Sequence, residues 1–348
     1  MVGRALFPIK PQEEKRMKFR KVDRIADPIS VVGYGCWSSA GYNWTDGDQS
    51  ESEQSILAAI DGGINFFDVA PIYGFGESEK VLGRAIKGKR DKVFVATKVG
   101  LRWNVIDGPG INNLTPQSIN EEIDLSLSRL GLDYVDLYQM HWMDHKTPIE
   151  ETMHALVKLQ KAGKIRYIGA SNFSLQELEK AEKIAPVASH QVLYNMFDRN
   201  SDDYCGNPLE YRAEDEILPD CQKKSMAFIP YSPLHQGLLS GRFYRGRDKD
   251  LKPGDMRLTN PQLRGEALDR KLDAVDQLKV IAGDAGLTLL ELTMGWLIKH
   301  PGVTTIISGS RTVRQAKTSA AAGDIELDDT VYDRIMQVLD TYEQGEKP

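Results

Sequence analysis

The chain has 348 residues, of which 41% are apolar and 27% are charged; this is enough apolar material for a large core and too much for general disorder. Its net charge of −6 gives no overall attraction to nucleic acid or to an anionic membrane surface. No apolar run reaches the ~18 residues of a membrane span, and no signal-peptide core stands at the N-terminus. The three cysteines are widely spaced and form no disulfide or zinc pattern. We therefore expect a cytoplasmic protein without a metal site.

The first segment of the chain differs from the rest. Residues 1–16 contain prolines and charges without a clear period and are interpreted as an N-terminal extension. Residues 17–348 are interpreted as one domain. At its start, residues 17–22 and 28–35 predict two short strands around a turn. This pattern favours a β-hairpin that caps the fold.

From residue 51 onwards, helical and strand patterns alternate along the chain. Strands are predicted at residues 65–67, 93–97, 136–140, 165–170, 190–193, 226–230 and 303–307. Helices are predicted at residues 51–61, 77–86, 116–130, 148–161, 175–184, 213–223, 267–282, 289–299, 313–321 and 331–342. Two of these helices begin with the same signal, a threonine N-cap followed by proline, at Thr115-Pro116 and Thr147-Pro148.

The alternation indicates an α/β fold with a parallel sheet. When residues 31–35 are counted as the first strand, the chain has eight strand–helix units, the number in a closed (β/α)8 TIM barrel. The competing architecture is an open, doubly wound sheet, but no G-x-G-x-x-G motif follows the first strand. The long irregular segment at residues 237–264 is interpreted as a lid.

Four chemically useful side chains stand where predicted strands end. Asp68 and Tyr73 follow the second strand, Lys98 closes the third, and His141 follows the fourth. Because the C-terminal ends of barrel strands meet at one mouth, we expect these residues to lie together. Each alone is explained by packing, capping or solvation, but the four together favour catalysis. A tyrosine hydroxyl is a possible proton donor to a carbonyl oxygen when a cation, itself held by a carboxylate, makes it a stronger acid.

Sequence motifs extend this pattern over most of the chain. They are Gly-Ile-Asn-Phe-Phe-Asp-Val-Ala-Pro-Ile-Tyr-Gly at 63–74, Ala-Thr-Lys-Val around Lys98, Asp-Leu-Tyr-Gln-Met before His141, Gly-Ala-Ser-Asn-Phe at 169–173, Gln191, and Ile-Pro-Tyr-Ser-Pro-Leu at 229–234. Together they resemble the aldo-keto reductase family, and among its branches most of all the bacterial inositol-catabolism and general-stress reductases. The resemblance runs from about Met17 to the last helix.

The resemblance implies a catalytic tetrad of Asp68, Tyr73, Lys98 and His141. Tyr73 would donate a proton to the carbonyl oxygen as hydride reaches the carbon, and would accept it back in the reverse oxidation. Lys98, paired with Asp68, would lower the pKa of Tyr73. His141 would orient the carbonyl group. Donors placed where negative charge develops on oxygen stabilise the transition state.

The resemblance also implies a nicotinamide dinucleotide bound without a Rossmann fold, with NADPH/NADP⁺ preferred and NADH weaker. Ser171, Asn172 and Gln191 would bind the carboxamide, Tyr231 would stack on the nicotinamide ring, and Arg311 would favour the phosphate of NADPH. The full set of implied cofactor-binding residues is Gly35, Cys36, Trp37, Asp68, Ser171, Asn172, Gln191, Tyr231, Ser232, Leu234, Gly237, Leu238, Ser240, Arg242, Gly309, Ser310, Arg311 and Gln315. The chain departs from the family where Ser308 replaces a usual proline, and where Thr318 and Ser319 align with residues that read adenine.

The substrate side of the mouth is expected to carry tryptophans. The candidates are Trp37, Trp44, Trp103 and Trp142. Indole rings give flat apolar walls with an N–H donor, which suits a sugar or an aromatic substrate. The acidic segment at residues 200–216 would disfavour anionic ligands if it borders the pocket, and is otherwise a solvated face.

Two alternatives stay open at the level of sequence. The first is a redox-sensing binding protein like the potassium-channel β subunits, which share the barrel and the cofactor and act through a partner. The second is a lyase on the same barrel that uses Lys98 to form a Schiff base. The sequence leaves the substrate, the favoured direction and the oligomeric state open.

Overall fold

The N-terminal hairpin is present and closes one end of the molecule. The computed structural model describes residues 17–41, 49–104, 106 and 110–346, so the proposed extension at residues 1–16 lies outside the described residues. Strands Phe19–Val22 and Ile25–Ser30 pair antiparallel. The predicted strand at residues 28–35 is therefore two strands, because Ser30 pairs within the hairpin while Val32 begins the barrel.

Eight parallel strands form the barrel, which confirms the predicted fold class. They are β1 Val32–Gly35, β2 Phe66–Asp68, β3 Phe94–Val99, β4 Val135–Met140, β5 Ile165–Ser171, β6 Ser189–Leu193, β7 Ala227–Tyr231 and β8 Ile306–Gly309. Neighbours in sequence are neighbours in the sheet, and β8 pairs with β1. Closure between β7 and the segment before β8 depends on a parallel bridge from Phe228 to Val303 and a 2.9 Å bond from Thr304 N to Phe228 O.

Ten helices accompany the strands in the described part of the chain. They are α1 Gln49–Asp61, α2 Glu77–Ala85, α3 Pro116–Leu130, α4 Ile149–Lys161, α5 Leu175–Glu182, α6 Leu218–Lys224, α7 Gly265–Asp284, α8 Leu289–Lys299, α9 Val313–Ala322 and α10 Asp329–Glu346. Among the described residues no single helix is long and apolar enough to cross a membrane; α7 and α8 reach that length and composition only as a pair bent by 87°.

The two threonine–proline signals have different outcomes. Thr115 caps α3 by accepting from Ser118 N, and Pro116 is the first residue of the helix, as predicted. The same prediction for Thr147 is wrong. Its hydroxyl donates to Asp144 at 2.6 Å, and α4 begins after Pro148 at Ile149 without a side-chain cap.

Two further boundaries differ from the prediction for local reasons. The helix predicted at 213–223 starts as a π-helical turn, Ala213–Ile217, before α6. Pro219 has no N–H to bond the preceding turn, so the regular pattern is interrupted there. The last strand, predicted at 303–307, is Ile306–Gly309. The irregular segment at 237–264 begins within the 3₁₀ element His235–Ser240 and contains three further short 3₁₀ turns, Arg247–Asp250, Met256–Thr259 and Pro261–Leu263.

Two apolar layers position the mouth. The larger cluster lies between the strands and the helices. The smaller one fills the barrel interior and includes Phe66, Phe94 and Leu137, with Ile25 and Ile29 of the hairpin packed beneath them. The interior below the mouth is therefore a packed and largely apolar core.

Candidate active site

Strand alternation directs four polar side chains into the upper layer of the barrel. Asp68 ends β2, and Lys98, Gln139 and Gln191 lie in β3, β4 and β6, where Lys98 is paired with Gln139. The residues two positions earlier in β2, β3 and β4 belong to the interior apolar cluster. Because side chains alternate along a strand, the four polar residues form the next layer above that cluster.

A buried ion pair between Lys98 and Asp68 organises this layer. Lys98 Nζ donates to Asp68 Oδ2 at 2.7 Å, to the carbonyl of Val69 at 3.2 Å and to the Tyr73 hydroxyl at 3.3 Å. An ammonium group has three donors and no acceptor, so these bonds use all three. The Tyr73 oxygen is thus the acceptor in its bond with Lys98, and its own hydrogen is left for a group in the cavity that Tyr73 lines.

Burial dominates the electrostatics of this group. Burial, followed by the charge of Asp68, raises the pKa of Tyr73 well above its ordinary value of 10.0. Burial lowers the pKa of Lys98 from its ordinary value of 10.5, although Asp68 opposes this. The net shift of the Tyr73 pKa is upward because loss of water disfavours the phenolate. That Lys98 lowers this pKa relative to a site without the cation stays a prediction. Tyr73 keeps its proton at neutral pH, and Lys98 loses its proton first as pH rises.

His141 lies beside Tyr73 in the neutral form. Their rings meet edge to face with centroids 6.0 Å apart. Burial and the charge of Lys98 lower the pKa of His141 well below 6.5. At neutral pH it can therefore give or accept one hydrogen bond at a substrate oxygen, but it does not carry the proton of an imidazolium ion.

A cavity of about 1380 Å³ opens above this layer. Among its lining residues are three of the four tetrad members, Asp68, Tyr73 and His141, while Lys98 lies fully buried behind Tyr73. Most of the predicted cofactor residues also line it: Gly35, Trp37, Ser171, Asn172, Gln191, Tyr231, Ser232, Leu234, Gly237, Ser240, Arg242, Gly309, Arg311 and Gln315. Three predicted residues do not line it, since the side chains of Cys36, Leu238 and Ser310 are fully buried elsewhere.

An amide cluster borders one side of the cavity. The Asn172 oxygen accepts from the hydroxyls of Tyr231 at 2.9 Å and Tyr211 at 3.0 Å, which fixes the orientation of its amide group. Asn172 has a left-handed backbone, with φ of 58°, a conformation that asparagine tolerates. Gln191 donates to Asp68 at 2.8 Å. Fixed amides and a half-buried tyrosine ring suit a planar ligand that carries its own carboxamide.

Positive charge borders the other side of the cavity. Five arginines line it, although the chain as a whole has a net charge of −6: Arg242, Arg247, Arg257, Arg311 and Arg314. Arg257 is held by the buried carboxylate of Asp255 at 2.7 Å. Thr318 and Ser319 line the same region, and Ser319 bonds Ser308 at 3.0 Å. This concentration of guanidinium groups suits a ligand with several phosphates.

The predicted tryptophans are divided between the cavity wall and its surroundings. Trp37 stacks on Tyr73 with centroids 6.0 Å apart, and Trp142 also lines the cavity. Trp103 does not line it and packs edge to face against Phe75 at 5.5 Å. Trp44 lies outside the described residues. From the acidic segment at 200–216, only Tyr204 and Asn207 reach the cavity, so none of its carboxylates borders it.

Sequence reasoning missed several residues of the site. Gln139 stands two residues before His141, so the two-residue period of β4 could have placed it in the same layer. Arg257 and Arg314 lie in or beside segments already assigned to the cofactor, and their charge was the available signal. Tyr211 contacts Asn172 across 39 positions of sequence, and no local pattern indicates that contact.

A buried lysine–aspartate pair beside a tyrosine hydroxyl, at the mouth of a TIM barrel with a large cavity, suits the class of barrel oxidoreductases. The comparisons with known proteins agree with that class. A model of the Aldo/keto reductase family matches residues 31–340. The chain belongs to this family, which confirms the resemblance seen in the sequence and its assignment as an oxidoreductase.

Known relatives cover nearly the whole chain. The Schizosaccharomyces pombe protein named aldo-keto reductase yakc (NADP(+)) is 33% identical, covering 91% of this chain and 90% of its own. The NADH-specific methylglyoxal reductase of Escherichia coli is 34% identical, covering 86% of this chain and 92% of its own. The structure of a glycerol dehydrogenase from Gluconobacter oxydans has a TM-score of 0.82 at 31% identity, covering 93% of this chain and 95% of that one.

Proposed function

We propose that this protein reduces the carbonyl group of an aldehyde, ketone or sugar to the alcohol, and catalyses the reverse oxidation, with NADPH preferred over NADH. The observation that supports this proposal most strongly is the set of three bonds from Lys98 Nζ to Asp68, Val69 and Tyr73. Because Lys98 donates to the Tyr73 oxygen, the Tyr73 proton is available to another acceptor. The cavity that Tyr73 lines is large enough for a dinucleotide and a small substrate.

The residues that line the cavity fit the cofactor. Ser171, Asn172 and Gln191 would bind the carboxamide, and Tyr231 would face the nicotinamide ring. The arginines would bind the phosphates, with Arg311 the residue proposed to distinguish NADPH from NADH. When bound, the nicotinamide supplies or accepts a hydride. The name of the Escherichia coli relative gives NADH and that of the yeast relative NADP⁺, so this preference needs a direct measurement.

The protein's own groups would handle the proton. In reduction, Tyr73 donates its hydrogen to the carbonyl oxygen as that oxygen gains negative charge, and the resulting phenolate is stabilised by the Lys98 ammonium. Neutral His141 would hold the same oxygen by a hydrogen bond. In oxidation, the Tyr73 phenolate accepts the alcohol proton. Asp68 keeps Lys98 charged and fixed, and it does not contact the substrate in this scheme.

The pH dependence follows from the direction of the two pKa shifts. Tyr73 is protonated throughout the neutral range because its pKa is raised. Lys98 has a lowered pKa, so its charge is present below that pKa and is lost as pH rises through it. The rate of reduction should therefore be level near neutral pH and fall at a basic limb below ~10.5, the ordinary pKa of lysine.

The test is a cofactor-coupled assay at 340 nm, with NADPH and NADH over short aldehydes, ketones and sugars, and with NADP⁺ and NAD⁺ over polyols. Methylglyoxal and glycerol belong in the panel because two relatives are named for them. We expect turnover of at least one carbonyl compound. Saturable cofactor binding without turnover of any member would contradict the proposal and favour the redox-sensing alternative.

A further inference from the structure

Gln139 is a fully buried amide inside the barrel that the scheme above does not use. Its Nε2 donates to Asp68 Oδ1 at 3.3 Å, the carboxylate oxygen opposite the one held by Lys98. Its Oε1 accepts from Ser189 Oγ at 3.4 Å and from Gln191 Nε2 at 3.5 Å. Every polar atom of this side chain thus bonds to a member of the active-site layer or to its support.

The contacts also determine which way Gln191 presents its amide. Gln191 Nε2 donates to Asp68 Oδ1 at 2.8 Å and, more weakly, to Gln139 Oε1. A primary amide has two N–H donors and one oxygen acceptor. Since both donors are directed to Asp68 and Gln139, the group that Gln191 presents to the cavity is its acceptor oxygen. Reversal of the amide would place that oxygen against the Asp68 carboxylate, which repels it.

The neighbouring strand leaves space for Gln139 in this position. Gly169 of β5 is paired with Gln139. A Cβ at Gly169 would lie 2.8 Å from Gln139 Cγ and 2.5 Å from Ser189 Oγ, both closer than real side chains approach. The backbone of Gly169 is not left-handed, so the absence of a side chain here serves the close approach of Gln139 rather than a special conformation.

We propose that Gln139 is a positioning residue for the reaction: it shares the charge of Asp68 with Lys98 and, together with Asp68, helps to direct the Gln191 oxygen into the cavity. This inference depends on the proposed function. Gln139 acts through Asp68 and Gln191 and does not itself touch the substrate. Its role is to set how strongly the charge of Asp68 favours the protonated forms of Lys98 and Tyr73.

The charged and titratable groups around Tyr73 define the expected change. They are Asp68 at the end of β2, Lys98 in β3, His141 after β4, Cys36 after β1, Glu79 of α2, which acts on Lys98, and Tyr204. Without the Gln139 donor, more of the Asp68 charge acts on Lys98 and Tyr73, so both should hold their protons more tightly. The basic limb of carbonyl reduction should move to higher pH.

Gln139→Met is the main variant, because it keeps the length of the side chain and removes both hydrogen-bonding atoms. We expect the basic limb to rise by about one pH unit, because the lost hydrogen bond of ~1.5–3 kcal/mol acts on Asp68 and only part of its effect reaches Lys98. We expect kcat to fall roughly fivefold to tenfold with a smaller change in KM. The Kd for NADPH, from tryptophan fluorescence, should change by no more than about threefold, because Asp68 still holds Gln191.

Two further variants separate positioning from folding. Gly169→Ala keeps the Gln139 amide and displaces it, so it should shift the basic limb in the same direction. Tyr138→Phe is the matched control. Tyr138 precedes Gln139 in β4 and belongs to the cluster between the strands and the helices, and its buried hydroxyl has no hydrogen-bond partner among the described residues. It should leave the pH profile unchanged.

The outcomes distinguish this inference from the function on which it depends. If wild type reduces no carbonyl compound, the proposed function fails. Suppose that the wild type is active and that Gln139→Met folds. If this variant then shows the same basic limb as the wild type, the positioning role is wrong, even when the variant has a lower melting temperature. If Gln139→Met does not fold, an unshifted limb in Gly169→Ala contradicts the inference in the same way.

Discussion

Replacement of Tyr73 by phenylalanine removes the proposed proton donor and little else. The ring can keep its stacking on Trp37 and its edge contact with His141, both with centroids 6.0 Å apart. The change deletes one oxygen, which accepts from Lys98 at 3.3 Å. Loss of general acid catalysis costs ~10²–10⁴-fold in rate, or about 2.7–5.4 kcal/mol in the barrier at ~1.36 kcal/mol per factor of ten.

The same substitution has a calculable effect on stability. Lys98 is fully buried and loses one of its three acceptors, which costs about 1–3 kcal/mol. For a chain of 348 residues, the entropy of unfolding is roughly 0.7 kcal/mol per kelvin, so the melting temperature should fall by about 1–4 °C. The variant should thus remain folded at assay temperature while losing nearly all activity.

The assay compares Tyr73→Phe with Tyr138→Phe, the same chemical change at a buried tyrosine in the layer of β4 that faces the helices. We measure kcat/KM for reduction at neutral pH, the Kd for NADPH and the melting temperature. Tyr73→Phe should lose at least ~100-fold in kcat/KM with nearly unchanged Kd. Retention of more than about a tenth of the activity would refute the reasoning, since general acid catalysis is larger than that.

The remaining predictions concern the cofactor and pH. Tyr231→Ala should weaken NADPH binding, since it removes a stacking surface of about 1 kcal/mol and a hydroxyl that bonds Asn172; equal Kd values for wild type and variant would assign Tyr231 to packing. Arg311→Ala should cost NADPH roughly tenfold in affinity, from ~1.5–3 kcal/mol for a hydrogen bond to a charged group, and leave NADH almost unchanged; equal losses for both cofactors would contradict its role. The rate of carbonyl reduction should fall as pH rises, with a basic limb below pH ~10.5, as Lys98 loses its proton; a rate that stays level beyond that pH would contradict the assignment of this limb to Lys98. His190, whose pKa is lowered to about 3, first by burial, should make the protein less stable as pH falls below ~6.5, because only the unfolded state then takes up the proton. At pH 4.5, about two units below the ordinary pKa of histidine, the free energy of unfolding should be lower by ~2.7 kcal/mol. His190→Gln should lose less of its free energy of unfolding between pH 7 and 4.5, as measured by chemical denaturation.

The fold was predictable because it follows from local sequence patterns. Apolar strands with helices between them gave the order of all eight units, and the ends of those strands placed Asp68, Lys98 and His141 at one mouth. The boundary errors arose where another contact determined the structure. Thr147 bonds Asp144 instead of capping α4, and the last barrel strand begins later than its apolar residues indicate.

The electrostatics and part of the cavity wall were not predictable in the same way. The raised pKa of Tyr73 depends on how far the assembled fold removes its oxygen from water, which no local sequence pattern gives. Motif position assigned Cys36 and Leu238 to the cofactor, but a motif does not specify whether a side chain faces the cavity. Trp103 packs on Phe75 because the two loops that carry them meet, a contact with no sequence signal.

The central claim is a hydride transfer to carbon coupled to a proton from Tyr73, and isotopic labelling tests it most directly. The protein would be incubated with a carbonyl compound that it turns over and with NADPH deuterated at C4, in separate reactions for each of the two C4 positions. Mass spectrometry of the alcohol should show one deuterium on the new carbinol carbon from one of the two cofactors. An alcohol that carries no deuterium from either cofactor, or whose carbinol hydrogen derives from the solvent, would contradict the account.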